Sequence, residues 1–234
     1  MRRVSQQIGW SQEAKLYYEW LVQLERLTAI LGKNIAPTTT TSSTTINPNV
    51  ACVTIPGWAT ANLNVTTYAN GDPIPEVQDP TAWAALTTGA WCSYDNNPAN
   101  DAIYGKLYNG YAVNDPRGLA PVGYHIPTLV EFQTLINCLG GDTVAGGKLK
   151  QTGTTYWESP NTGATNSSGF TALPSGFRNT IDGGFSNIGT STFFWSANDD
   201  MSRKWFMILA STFENVLIEN ELLGTGLSVR VIAD

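Results

Sequence analysis

Residues 37–49 read PTTTTSSTTINPN, a stretch with no charge and a single apolar side chain, Ile46. Nothing in it can join a core, and polar Thr/Ser runs behave as extended tethers. The chain is therefore expected to divide into an N-terminal segment (1–36), a Thr/Ser-rich linker (37–49) and a body (50–234).

The N-terminal segment carries a helical period. Leu16, Tyr17, Trp20, Leu24, Leu27 and Leu31 recur at three- and four-residue steps, Ser11 suits an N-cap and Gly32 a stop. A lone helix of about 20 residues is marginal in water and must bury its apolar stripe against something. The linker carries it away from the body. Tyr17, Trp20, Leu24, Leu27 and Leu31, with Trp10 just ahead, are thus expected to anchor the chain or to join copies of it into a dimer or trimer.

From Val50 onward, short apolar and aromatic pieces alternate with Gly, Pro and Asn, the mark of many short strands. Two short helices are predicted. Asp79-Pro80 precedes Trp83, Ala84, Ala85 and Leu86, an N-cap and first-turn proline ahead of an apolar face. Thr128-Leu129-Val130-Glu131 is a capping box before Phe132, Leu135, Ile136 and Leu139, ended by Gly140-Gly141. Strand-like runs follow at Phe193–Ser196, Lys204–Ala210, Asn215–Glu219 and Leu227–Ile232. Helices early and strands late predict an α+β fold with a mostly antiparallel sheet.

Composition narrows the function. With 13 Lys and Arg and a net charge of −6, the chain has no basic face to offset phosphates, so nucleic acid is not an expected partner. No window holds the roughly 18 apolar residues of a membrane span, and Met1-Arg2-Arg3 is not followed by the apolar core of an export signal. The single His, His125, and the widely spaced Cys52, Cys92 and Cys138 form neither HExxH nor CxxC. Such cysteines suit a reducing compartment or core packing, a Cys52–Cys92 pair being left open, and Cys92 and Cys138 are expected to be buried small hydrophobes.

An ordered series of motifs runs through the body. It includes Asn62-Leu63-Asn64-Val65-Thr66-Thr67-Tyr68, Gly71-Asp72-Pro73-Ile74-Pro75, Trp91-Cys92, Tyr104-Gly105-Lys106-Leu107-Tyr108-Asn109, Gly118-Leu119-Ala120-Pro121 and His125-Ile126-Pro127-Thr128. Gly147-Lys148-Leu149-Lys150, Tyr156-Trp157, Gly163-Ala164-Thr165-Asn166, Ala172-Leu173-Pro174, Arg178, Phe194-Trp195-Ser196 and Leu227-Ser228-Val229-Arg230 follow. In this the chain resembles the Fibrobacter succinogenes major paralogous domain. The resemblance implies a C-type-lectin-like fold and adhesion on a cell or virion surface. It departs from the family at Gly123-Tyr124-His125-Ile126-Pro127, where Trp-His-Val is common, and is loose over 197–225. In retroelement-diversified relatives that late stretch contacts ligand. The N-terminal segment Arg3–Glu13 also resembles virion proteins of tailed, crAss-like phages of gut Bacteroidota.

Candidate sites follow. Gly141–Lys148 is no phosphate loop: Asp142 stands where the first Gly should, and Leu149 where Ser or Thr should hold magnesium. Its glycines are expected in positive-φ turns. His125, with no acid adjacent in sequence, is expected to bond a loop carbonyl. Glu158 with Asn161, and Asn198 with Asp199, resemble the interrupted calcium motifs of lectins, so calcium is a weak candidate and no other cofactor is expected. Asn198, Asp199, Asp200, Arg203 and Trp205, with Phe213, Glu214, Asn215, Glu219, Asn220 and Glu221, mix aromatic faces with short polar groups and form the candidate ligand-binding surface.

These readings lead to a non-enzymatic virion-surface protein, a head or tail fibre or adhesin, whose lectin-like head attaches to a host-surface or mucosal glycan or protein. Its other expected partners are capsid or tail proteins. A capsid or tail decoration protein without a host ligand is the alternative, and a bacterial surface adhesin a more distant one.

Overall fold

A computed structural model describes residues 57–234, which lie in the second of the chain's two units, 49–234. The N-terminal segment, the linker and Cys52, and with them the anchoring residues from Trp10 to Leu31, lie outside the described residues. Among the described residues no helix is long and apolar enough to cross a membrane.

The sheet is built around two strands whose sequences, STFFWSANDD and RKWFMILA, are apolar on both faces at their centres. These are β6 (Ser191–Asp200) and β7 (Arg203–Ala210), paired antiparallel from Ser191↔Ala210 to Asp200↔Arg203. Such runs need cover on both sides. On one face Phe194, Met207 and Leu209 pack with Phe132, Leu135 and Ile136, together with Leu149, Trp157 and Phe170. On the other, Trp195 and Phe206 pack with Trp91, Tyr108, Leu227 and Val229. β8 (Leu217–Leu222) pairs antiparallel with β7 and lies at the sheet's edge.

The remaining strands are short: β1 (Trp91–Cys92), β2 (Leu107–Asn109), β3 (Tyr124–His125), β4 (Ser175–Arg178), β5 (Phe185–Ile188), β9 (Gly226–Leu227) and β10 (Ile232–Ala233). The main sheet runs β1-β2-β9-β4-β6-β7-β8, with β5 on β4, while β3 and β10 pair separately. Among the described strand pairs only β4–β6, at Gly176↔Thr192, is parallel, while isolated parallel bridges join Glu76 to Trp91, Lys150 to Ala172 and Phe194 to Ser228. The predicted run Leu227–Ile232 therefore splits: its ends enter β9 and β10, while the middle contributes the bridge Phe194↔Ser228. Asn215 and Val216 stand before β8 rather than in it.

Both predicted helices form. α1 (Pro80–Ala84) has Asp79 accepting from the Ala82 N–H at 2.7 Å. Among the described residues there are three further α-helices, so the expected two become five: the single turns α2 (Asp101–Tyr104) and α3 (Gly110–Val113), and α5 (Asp142–Leu149), with two 3-10 turns at Tyr94–Asn96 and Pro98–Asn100. α4 (Leu129–Cys138) carries the complete Thr128/Glu131 capping box. α5 corrects the reading of Gly141–Lys148 as turns. Gly141 has φ +94 and precedes the helix, but Gly146 and Gly147 are buried inside it. A Cβ on Gly147 would lie 2.3 Å from the Gly163 carbonyl oxygen, and one on Gly146 2.4 Å from that of Asn215. Close approach of backbone, rather than left-handed geometry, requires glycine there.

Much of the body is loop, and buried cations hold it. Arg178 donates to the carbonyls of Val77, Gln78 and Gly183 at 2.6–2.9 Å. Arg230 donates to Ala59, Phe170 and the Asn62 side chain. Lys150 donates to Thr162, Ala210 and Phe213. Each side chain is nearly inaccessible and replaces ladder partners that irregular backbone lacks. The first and last described segments also meet, Ala59 N–H on Val231 at 3.0 Å and Ala233 N–H on Gly57 at 2.8 Å.

Candidate functional site

At the tip of the β6–β7 hairpin, register disperses the expected binding residues over two faces. Between Trp195 and Asp199 the pairing is irregular, and there Ala197 donates to Pro127 while the Asn198 carboxamide accepts the Leu129 N–H at 2.8 Å, tying the strand to the start of α4. Asp199 stands opposite Lys204. It accepts Lys204 Nζ at 2.7 Å and the Asn114 amide at 3.0 and 3.1 Å. Burial pulls the Lys204 pKa down, opposed by the Asp199 carboxylate.

Trp205 is directly opposite Asn220 in the β7–β8 ladder, and Arg203 lies two residues before it on the same face. Asn220 donates to Asp200 at 2.8 Å, and Arg203 Nη1 is 3.9 Å from the Glu221 carboxylate. Trp205 is half-buried and Met201, at the turn, fully exposed. The arrangement offers an aromatic surface, an amide, a carboxylate and a guanidinium on one ladder. Glu219 faces the other way, opposite Phe206, where burial raises its pKa.

Phe213, Glu214 and Asn215 do not join this group. They occupy the turn at the far end of β7, an eight-residue strand roughly 23 Å long. There the Phe213 carbonyl takes Lys150 Nζ at 2.7 Å and that of Glu214 takes the Gly147 N–H at 2.9 Å, so the turn secures α5. The calcium candidates are divided in the same way. Glu158 donates its N–H to Gly189, near the start of β6, whereas Asn198 and Asp199 are close to its end. Asn161 is buried with its amide on the Gln151 and Gly153 carbonyls. Among the described residues, no group of three or more His, Cys, Asp or Glu could hold a metal ion.

His125 corrects the expectation of a carbonyl partner. Its Nε2 is 2.8 Å from Glu131 and its Nδ1 2.8 Å from Asp234. Hydrogen bonds to Glu131 and then Asp234 raise its pKa. A signal for this was present, because the capping box already places Glu131 at the start of α4, one short turn beyond β3. Cys92 is buried and free, as expected, with its thiol pushed up to about 12 by burial, and a Cys52–Cys92 pair is therefore excluded. Cys138 is disulfide-bonded on the exposed side of α4 and is not a packed thiol.

Fold and surface together define a strand-rich α+β domain whose loops are fastened by buried cations and whose hairpin tip carries polar and aromatic side chains. The family model of the Fibrobacter succinogenes major domain matches residues 56–233, and the chain belongs to that family. Neither the curated proteins nor the solved structures yield a match.

Proposed function

We propose that this protein is a virion-surface component of a tailed phage, a fibre or adhesin whose C-type-lectin-like head binds a host-surface or mucosal glycan or protein without chemical turnover. Family membership and the closure of the domain's first segment on its last support the lectin-like reading. The observation that carries the binding reading is Trp205 beside Asn220, with Asp200 and Arg203 adjoining. An indole face stacks on a sugar ring or apolar side chain, and the amide, carboxylate and guanidinium supply directional bonds to hydroxyls or peptide groups. On this reading residues 1–36 link several heads, and linked shallow sites gain avidity by about 10²–10⁴.

The test is binding of the full chain to host cells. Trp205→Ala, which removes a half-buried side chain on β7 beside the edge strand β8, weakens binding about tenfold or more while melting stays cooperative. Equal binding by parent and variant overturns the adhesin reading and favours the decoration protein. Removing residues 1–36 converts the oligomer to a monomer in sedimentation, and an unchanged mass refutes the helix seam.

A further inference from the structure

Lys106, Asn64 and Asp101 meet on the side of the domain formed by β1 and β2. Lys106 is buried, and its Nζ donates to Asn64 Oδ1 at 2.7 Å and to Asp101 Oδ2, with the Trp91 ring centroid 4.4 Å away. The Asn64 amide nitrogen lies 3.2 Å from the Asp101 carbonyl oxygen. Asp101 Oδ1 is buried without a hydrogen-bond partner. Backbone holds the amine and amide in place: the Lys106 N–H donates to Leu63 at 3.1 Å, and the Tyr108 hydroxyl bonds both the N–H and the carbonyl of Val65 at 2.7 Å. Both neighbours of Asn64 are thus pinned to β2 and to Lys106 immediately before it.

We propose that this trio forms an intramolecular isopeptide bond between Lys106 Nζ and Asn64 Cγ. Cγ lies one C=O bond beyond the oxygen that Nζ already touches, and the terminal torsion of Asn is broad, so rotation of the carboxamide presents the carbon to the amine. Held together in this way, the groups react with the advantage of an intramolecular reaction. The Lys106 ammonium passes a proton along its hydrogen bond to the Asp101 carboxylate, freeing the Nζ electron pair. The Nζ electron pair then forms the new C–N bond while the carbonyl π pair moves to Oδ1. On collapse, the Cγ–Nδ2 bond breaks and its pair leaves with nitrogen. That nitrogen takes one proton from Asp101 and one given up by the new amide nitrogen, relayed through the same carboxylate. The products are a secondary amide and ammonia, leaving as ammonium with the proton that Lys106 first carried. Neither an oxidant nor a cofactor is required.

The bond would link residues 42 apart and shorten the loop available to the unfolded chain. The test is mass spectrometry of the folded, full-length parent after denaturation, reduction and digestion. The expected result is a branched peptide joining Asn64 to Lys106, with a total mass one ammonia below the sum of its two parts. A digest is needed because succinimide formation at Asn70-Gly71 or Asn109-Gly110 gives the same intact mass loss but no branch. Asp101→Asn, which removes the proton relay, yields linear peptides, as does Lys106→Arg. Linear, unmodified peptides bearing Asn64 and Lys106 from the folded parent overturn the proposal and leave an ordinary buried ion pair.

Discussion

The Nε2 of His125 is 2.8 Å from Oε1 of Glu131, whose Oε2 also takes the Thr128 backbone N–H at 2.7 Å. One carboxylate therefore caps α4 and fastens the β3 strand to it. Asp234, beyond β10, bonds the other ring nitrogen, so the imidazole joins a helix start to the last described residues. With a carboxylate at each nitrogen, only the protonated ring can donate from both, and the hydrogen bonds to Glu131 and then Asp234 accordingly raise its pKa.

The folded pKa of His125 is raised, so its contribution to stability is complete below the unfolded value of about 6.5 and is lost as pH rises through the higher folded value. Glu131 has the opposite sign. Burial alone would raise its pKa, but bonds from Thr128 and His125 outweigh it and leave it lowered, so its contribution is lost as pH falls through that lowered value. Melting temperature against pH should fall at both ends. His125→Ala should flatten the neutral-to-alkaline limb by less than about 1 kcal/mol, as suits a partly exposed ion pair.

Lys204 is wholly buried and its ammonium depends on Asp199 and the Ala197 carbonyl. Asp199→Ala should destabilise by about 1–3 kcal/mol in urea titration, because a buried ammonium loses its charged partner. Adding Lys204→Met should recover part of that loss; an additive double mutant would refute the coupling.

Gly147→Ala should lower stability by about 1–3 kcal/mol, although alanine is the better helix former by about 1 kcal/mol. The added methyl meets the Gly163 carbonyl at 2.3 Å. A rise in melting temperature would show that the α5 contact relaxes without penalty.

Chelator should leave the melting temperature unchanged. Asp199 is already matched by Lys204 and Asn114, and the Glu158 and Asn198 pairs sit near opposite ends of β6. A downward shift on adding EDTA, restored by calcium, would contradict this arrangement.

Local signals in this sequence are read well where neighbouring residues complete the chemistry themselves. Asp79-Pro80 and the Thr128/Glu131 box each supply cap and donor within one turn, and both helices appear with these caps. The double-sided apolar runs of β6 and β7 likewise carry their own demand for cover. α5 is different. Two interior glycines conceal it from any periodicity, because their reason is a backbone passing from residues 163 and 214–215. The binding residues separate for a related reason. A span continuous in sequence becomes a strand with two ends and two faces, which parts Glu214 from Asp200 and Asp199 from Trp205.

From sequence alone come the family, the α+β class, the two capped helices and the positions of the central strands, because each depends on contacts or motifs close in the chain. Tertiary structure alone decided where the few charges go. Arg178, Arg230, Lys150 and Lys204 look like surface cations in a chain only 14% charged, yet all are buried, the first three against carbonyls that include ones far away in the chain and Lys204 against Ala197 and Asp199 across its own hairpin. A carbonyl left without a ladder partner must find a donor wherever the fold brings one. No spacing in the sequence records that demand, since it arises only once the loops have closed over the core.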